Sequence, residues 1–352
     1  MICFGIILAV MTAADHVVHD LELKGPQDWT FDARLIEPAN ERSGLTVVMI
    51  GGGISNDLDW TTPGKIKVGE DNIQLTITGE SHKDAPTIAS ALADQGHAVL
   101  HYSTIADEDP KRDLWPLEVT PHAPRDLLLL QKSATELVRT HPATRNDRLI
   151  LLAHSMGAQR AAAEAAKNEQ IHAMVLMGAA QMTHTGPEDP GRNLNAAAAR
   201  SRLQELDQDD DGKVMGEELP EDLDFDLDGV LQAWEISAAI AITERGKIST
   251  APRTDQHGIP FGEESLKGRS LPVLAIYGQL DNAQGHHAPV LQSLVDQKHL
   301  RQLEIRIIPN LGHQMSPQEG MLVGPISTAA IEEIVAWIGD LAQATDSPST
   351  RD

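Results

Sequence analysis

The feature that most constrains the fold is the segment DRLILLAHSMGAQRAAAEAA, residues 147–166, in which an apolar run passes directly into an alanine-rich stretch. A serine on so sharp a turn between a strand and a helix projects its hydroxyl above the sheet, where a base and a substrate can reach it. The turn brings Ala153 and Gly157 close together, and both residues are small. Ser155 is therefore predicted to be a nucleophile; the alternative is that its hydroxyl caps the following helix.

Strand and helix signals alternate along most of the chain. The predicted strands are GLTVVMIGGG, HAVLHYS, DRLILLAHS, HAMVLMGAA, LPVLAIYG and LEIRIIP. The predicted helices are residues 85–95, 125–140, 158–168, 289–296 and 326–342. Strands that are apolar throughout are buried on both faces, as in a parallel sheet covered by helices. We therefore predict an α/β fold with a doubly wound, mostly parallel sheet, preceded by antiparallel strand material between residues 12 and 35.

A serine nucleophile needs a base, and the base needs an acid that orients it. Asp281 follows the strand LPVLAIYG, and His313 follows the strand LEIRIIP in a Gly-His turn. Both stand at the carboxyl ends of strands, on the same edge as Ser155, where the active sites of open α/β sheets form. We predict Ser155, His313 and Asp281 as the catalytic residues. The competing candidates are His286 and His287 for the base, and Asp255 and Asp296 for the acid.

Two backbone N–H groups are predicted to form an oxyanion hole. One is that of Met156, at the start of the helix that follows the serine. Three glycines end the strand GLTVVMI, and glycine lets a backbone approach a substrate carbonyl closely. Gly53 is the predicted second donor and Gly52 the next candidate, the alternative being an ordinary glycine turn.

These motifs resemble those of the α/β-hydrolase superfamily of serine hydrolases. The segment A-H-S-M-G is similar to the G-x-S-x-G elbow of that family, with Ala153 in place of the first glycine. Residues 55–60 resemble the G-S-G-x-x-D-R-D stretch of some bacterial acyl-ester hydrolases, with Leu58 where arginine would stand. The resemblance covers roughly residues 45–342 apart from an insertion, and it implies that the acid and then the histidine follow the serine along the chain.

The insertion lies between the strand that ends at Gly178 and the strand that begins at Leu271. These about ninety residues far exceed an ordinary connection. In α/β-hydrolases a cap domain is commonly inserted at this place. The resemblance therefore implies a helical cap, residues 183–268, over the serine.

An acidic segment lies within this cap. Residues 203–237 hold thirteen Asp and Glu side chains against the single Lys213, which supplies −12 of the chain's net charge of −24. Carboxylates stand at positions one, three, five and twelve of two loops, 207–218 and 224–235, with glycine at position six and an aliphatic residue at position eight. Calcium takes six to eight oxygen ligands, and one backbone carbonyl at position seven contributes in this kind of loop.

Both loops resemble the EF-hand family at every ligand position. The ligands so implied are Asp207, Asp209, Asp211, the carbonyl of Lys213 and Glu218 in the first loop, and Asp224, Asp226, Asp228, the carbonyl of Val230 and Glu235 in the second. Only residues 219–223 separate the loops, and Pro220 stops a helix there, so the usual intervening helix pair cannot fit. The expectation is two calcium sites in one compact unit; the alternative is a solvated acidic linker.

The first residues, MICFGIILAVMTAA, are predicted to be a signal peptide, residues 1–14. An apolar run at 2–11 precedes small residues suited to cleavage. No lysine or arginine precedes the run, which a start codon assigned too late would explain, and a buried N-terminal strand is the alternative. Export predicts a periplasmic or extracellular location and removes the only cysteine, Cys3.

The predicted organisation is thus a signal peptide, a hydrolase core at 15–182 and 269–343, the cap at 183–268 between them, and a disordered tail at 344–352. The acidic charge argues against a nucleic-acid partner, and no internal segment is apolar and long enough to span a bilayer. The resemblance implies a serine hydrolase that cleaves carboxylic esters of small molecules, with calcium in the cap and no cofactor needed for the chemistry, and the N-terminal pattern predicts that it is secreted. The alternatives are a peptidase or thioesterase on the same fold, and a non-catalytic calcium-binding protein on a hydrolase scaffold.

Overall fold

The structure is a computed structural model. It describes residues 16–39, 41–52, 57–62, 65–68, 75–78, 82–107, 124–180, 182, 201–209, 211–220, 223, 230–231, 236, 259–260, 262–267, 269–281, 287–296, 302–319 and 322–346.

An eight-stranded sheet forms the centre of the fold. Its strands, in chain order, are β1 (Val17–Lys24), β2 (Thr30–Glu37), β3 (Leu45–Ile50), β4 (Ala98–Ala106), β5 (Arg148–His154), β6 (Ile171–Met177), β7 (Val273–Gly278) and β8 (Leu303–Ile308). Their order across the sheet is β1-β2-β4-β3-β5-β6-β7-β8. The β1–β2 and β2–β4 pairs are antiparallel, and the remaining five pairs are parallel. The predicted α/β fold with a doubly wound, mostly parallel sheet is confirmed, and the predicted cap lies largely outside the described residues.

The α-helices with described bounds are α1 (Asp84–Asp94), α2 (Pro124–Thr140), α3 (Gly157–Ala165), α4 (Gly262–Leu266), α5 (His287–Asp296) and α6 (Thr328–Asp346), and residues 201–206 are also helical. Single 3-10 turns are Pro26–Asp28 and Gly216–Glu218. Short antiparallel pairs join Thr61–Thr62 to His82–Lys83, Lys65–Val68 to Leu75–Thr78, and Gln318–Glu319 to Leu322–Val323. No described helix is long and apolar enough to cross a bilayer.

Central strands such as β5 are largely apolar because each sheet face carries its own hydrophobic cluster. Successive side chains of a strand point to opposite faces. Leu149, Leu151 and Ala153 of β5 accordingly pack with α2 and α3 in one cluster. Ile150 and Leu152, between them in sequence, pack with α1 and α6 in the other. Burial on both faces fixes the sheet between two helical layers and leaves its carboxyl-terminal edge for the site.

The two ends of the long segment between β6 and β7 lie together. The N–H of Glu263 donates to the carbonyl of Met182, at 2.8 Å. The buried amide of Gln159, on α3, donates to the carbonyls of Ile259 and Pro260, at 3.1 and 3.3 Å. The chain therefore leaves the core and returns to it at one place beside the helix that follows Ser155.

Several sequence predictions lie outside the described residues. These are the signal peptide, most of the cap, the carboxylates of the second acidic loop, Gly53, His286 and Asp255. Helix α6 continues to Asp346, so it overlaps the first three residues of the predicted tail.

Burial shifts the titration of three histidines. Burial lowers the pKa of His97, His101 and His172 from the ordinary value of 6.5. Below about pH 6.5 the unfolded chain takes up protons that the folded imidazoles do not, so this contribution to stability is present at higher pH and is lost as the pH falls. Each of the two fully buried groups, His97 and His101, adds up to about 1.4 kcal/mol per pH unit to the slope of the free energy of unfolding.

We therefore expect the free energy of unfolding to be lower at pH 5.5 than at pH 7.5, as measured by urea titration. The His101→Gln variant should show a shallower dependence, because His101 is fully buried and would no longer titrate in the unfolded chain. An equal slope in this variant would contradict the assignment.

Candidate active site

The structure brings Ser155, His313 and Asp281 together. His313 Nε2 lies 3.0 Å from Ser155 Oγ, and His313 Nδ1 lies 3.0 Å from Asp281 Oδ2. Asp281 is 2% exposed and Ser155 9%. Both distances are those of hydrogen bonds, so one imidazole can accept the serine proton while the carboxylate orients the opposite ring nitrogen.

Ser155 stands on a strained turn between β5 and α3. Its φ of +51° lies in the left-handed region, which residues with a side chain seldom adopt. Its N–H donates to the carbonyl of Met177 at 2.9 Å, which fixes the turn against β6. A methyl group on Gly157 would lie 2.8 Å from the carbonyl oxygens of both Ile50 and Gly51. This close contact explains why residue 157 must be small, as the sequence pattern predicts, and leaves no room even for a methyl group.

Two glycines seat the loop that carries His313. Gly178, after β6, has a φ of +49°, and a methyl group there would lie 2.8 Å from the carbonyl oxygen of His313. A methyl group on Gly278, at the end of β7, would overlap the carbonyl oxygen of Leu311. The loop after β8 therefore rests directly on the ends of β6 and β7, which places His313 at the edge of the sheet where Ser155 and Asp281 lie.

The competing candidates are placed differently. Asp296, at the end of α5, is exposed and accepts a hydrogen bond from Gln292 at 2.9 Å. His287 begins α5 and is 5% exposed. The geometry thus favours His313 and Asp281, whose catalytic roles remain predictions.

A second histidine lies against the base. His154, the residue before Ser155, has Nε2 3.1 Å from the carbonyl oxygen of His313, and the two ring centroids are 5.1 Å apart. Burial, together with repulsion by His313, lowers the pKa of His154 to about 4. Sequence reasoning did not single out this residue, although its place inside the elbow was the available signal.

The glycine loop after β3 lies beside the nucleophile. A methyl group on Gly52 would lie 2.8 Å from Ser155 Cβ, so the backbone there passes directly over the serine. Arg160, a buried residue of α3, donates from Nη2 to the carbonyl of Gly51 at 2.8 Å. Met156 immediately precedes α3, where its N–H was predicted as a donor. This arrangement places the backbone of Gly52 beside Ser155, and Arg160 is a supporting residue that sequence reasoning missed.

In the first acidic loop, residues 207–218, three carboxylates lie close together. One oxygen from each of Asp207, Asp209 and Asp211 lies within 4.8 Å of the others. Gly212 has a φ of +85°, which meets the need for a sharp turn at position six. Glu218 Oε1 accepts hydrogen bonds from the N–H groups of Gln208 and Asp209, at 2.7 and 3.1 Å, so it closes the loop from position twelve. A set of carboxylate oxygens is the donor chemistry that calcium prefers, and the residues of this loop fit the ion.

The two acidic loops are paired through their backbones. The N–H of Leu231 donates to the carbonyl of Val214 at 2.9 Å, and an antiparallel bridge joins Met215 to Val230. Val214 and Leu231, the aliphatic residues at position eight of the two loops, are buried in a small cluster. The cluster also contains Ile236, Leu203, Leu206, Leu219 and Leu223. The loops therefore form one unit with its own core, although only five residues separate them.

No protein-family description and no curated protein matches this sequence. Three solved structures with similar folds are a dienelactone hydrolase from Anabaena variabilis, Est1E from Butyrivibrio proteoclasticus and an esterase from Pyrococcus furiosus. Their identities to this chain are 14%, 15% and 12%, with TM-scores of 0.44, 0.45 and 0.49. The matches cover 94%, 92% and 94% of this chain, and 98%, 98% and 91% of the other chains.

Proposed function

We propose that this protein is a serine hydrolase that cleaves carboxylic esters of small molecules through an acyl-enzyme. The observation that carries the proposal is the continuous relay from Ser155 through His313 to Asp281, with both hydrogen bonds at 3.0 Å. The strained backbone at Ser155 adds support, because strain of this kind collects at functional sites.

The proposed reaction begins when Ser155 Oγ attacks the ester carbonyl and its proton passes to His313 Nε2. Asp281 stabilises the imidazolium through Nδ1–H. The negative oxygen of the tetrahedral intermediate is stabilised by backbone N–H groups, of which Met156 and Gly53 are our candidates. His313 then returns the proton to the leaving alcohol, the acyl group stays on Ser155, and water activated by the same histidine releases the acid. These steps need no cofactor.

Labelling with a fluorophosphonate, followed by an ester panel, tests the proposal. Wild type is expected to be labelled and Ser155→Ala is not. Among esters of graded acyl length, with peptide and thioester controls, esters should be turned over fastest. Faster cleavage of peptides or thioesters would favour the alternative activities on this fold. An unlabelled wild type would favour a non-catalytic calcium-binding protein.

We also propose that calcium binds both acidic loops and stabilises the cap. Three aspartate oxygens within 4.8 Å and the backbone pairing of the loops support this. The ion would neutralise the carboxylates of Asp207, Asp209, Asp211 and Glu218. In the second loop, Asp224, Asp226, Asp228 and Glu235 would have the same role by their matching spacing.

Export to the periplasm or the extracellular space is a further part of the proposal. The apolar residues 2–11 and the small residues after them support it, since they have the order of a signal peptide. Cell fractionation and N-terminal sequencing of the mature protein test it. Retention of residues 1–14 on a protein inside the cell would rule it out.

A further inference from the structure

His154 lies between the two loops that shape the site. On one side, its Nε2 is 3.1 Å from the backbone carbonyl of His313. On the other side, a methyl group on Gly52 would lie 2.6 Å from its Nδ1, so the glycine loop packs directly on that nitrogen. A carbonyl oxygen can only accept a hydrogen bond, so the proton of a neutral His154 must sit on Nε2.

A neutral His154 is compatible with its position beside His313. Burial, and secondly the nearby His313, lower its pKa, the bond to the His313 carbonyl and the charge of Asp281 act in the opposite direction, and the net pKa is about 4. His154 is therefore neutral at neutral pH. A cation with its ring centroid 5.1 Å from that of His313 would oppose the protonation of the base, whereas a neutral imidazole does not.

We propose that His154 is a positioning residue, whose Nε2–H holds the backbone of His313 while its ring supports the glycine loop at Gly52. It would thereby set the base and the oxyanion donors relative to Ser155. This inference rests on the proposed function of the Ser155 site. The expected size of the effect on kcat follows from the sensitivity of catalysis to geometry, since a displacement of about 1 Å can lower the rate about 10²-fold.

Two variants separate the hydrogen bond from the volume of the side chain. His154→Leu keeps much of the bulk and removes both nitrogens, whereas His154→Gln keeps an N–H donor at a similar distance from Cα. With a short-chain ester, His154→Leu should lower kcat by about 10- to 100-fold and change KM by less than about threefold. His154→Gln should recover most of the lost kcat, which a purely structural role would not predict.

If His154→Leu fails to fold, a measurement on wild type still tests the hydrogen bond from His154. Nitrogen-15 NMR of the histidine rings should show the Nε2–H tautomer of His154 from pH 8 to pH 5. An Nδ1–H tautomer, or protonation within that range, would overturn the inference.

Labelling of Ser155 by a fluorophosphonate distinguishes failure of the proposed hydrolase function from failure of the proposed role of His154. If wild type is not labelled, the proposed function fails and the role of His154 fails with it. Suppose instead that wild type is labelled, and that His154→Leu folds, is labelled and turns over ester at the wild-type rate. Only the positioning role of His154 is then wrong. Equal losses of kcat in the Leu and Gln variants would also overturn it, because the retained donor would then have no effect.

Discussion

Ser155→Ala and His313→Ala are each expected to lower kcat on a short-chain ester by about 10³-fold or more. The first change removes the proposed nucleophile, and the second removes the group proposed to take its proton across the 3.0 Å hydrogen bond. Asp281→Ala should also lower kcat greatly, because the buried carboxylate orients His313 and stabilises its protonated form. Steady-state kinetics with KM measured in parallel shows whether the losses fall on the chemical step.

His287→Ala is the matched control for the base. His287 is also a buried histidine close after β7 in sequence, and its removal should leave kcat within about threefold of wild type. If His287→Ala abolished turnover and His313→Ala did not, the base would be misassigned. Melting curves of all four variants are needed, since a loss of fold would reproduce a loss of activity.

The sheet could be predicted because the apolar run that marks a buried strand lies within a few consecutive residues. A strand buried on both faces must be apolar at successive positions, as Leu149, Ile150 and Leu151 are, and the two hydrophobic clusters explain that run. Ser155 could also be predicted from the local sequence, because the turn brings the residues two before and two after it close together and both must be small. Asp281 and His313 followed from the rule that parallel strands present their carboxyl ends at one edge.

The supporting contacts could not be predicted, because each joins positions that are far apart in sequence. His154 bonds to the carbonyl of His313, 159 residues away, and Arg160 bonds to that of Gly51, 109 residues away. Nothing in the local pattern of the elbow specifies these partners. Helix α4 was also missed, because its five residues are too few to show a helical period.

Removal of calcium is expected to destabilise the acidic loops and the cap. Without the ion, the carboxylates of Asp207, Asp209 and Asp211 face one another within 4.8 Å, and like charges at that distance repel. Calcium that binds only the folded loops stabilises them by RT ln(1 + [L]/Kd), about 2.7 kcal/mol at a hundredfold excess over Kd. We expect Kd in the range of extracellular modules, about 10⁻⁴–10⁻³ M, because the short connection between the loops constrains their geometry.

Calorimetric titration of metal-stripped protein, with melting curves with and without calcium, measures this effect. Chelation should change activity on bulky esters more than on small ones, because the sheet that carries Ser155, His313 and Asp281 has its own hydrophobic clusters and should remain folded. The small cluster of Val214, Leu231 and Ile236 is the part that depends on the loops.

Single carboxylate changes distinguish calcium ligation from a general effect of charge. Glu218→Gln and Glu235→Gln each remove the acidic residue at position twelve and should weaken binding and reproduce part of the effect of chelation. Glu217→Gln is the matched control, because it removes the same charge from an exposed neighbour of Glu218 that is not at a ligand position. Equal effects of Glu217→Gln and Glu218→Gln would indicate charge density alone. No heat of binding and no shift in melting would mean that the segment is an acidic linker, since a site that binds only the folded loops must raise their stability when it fills.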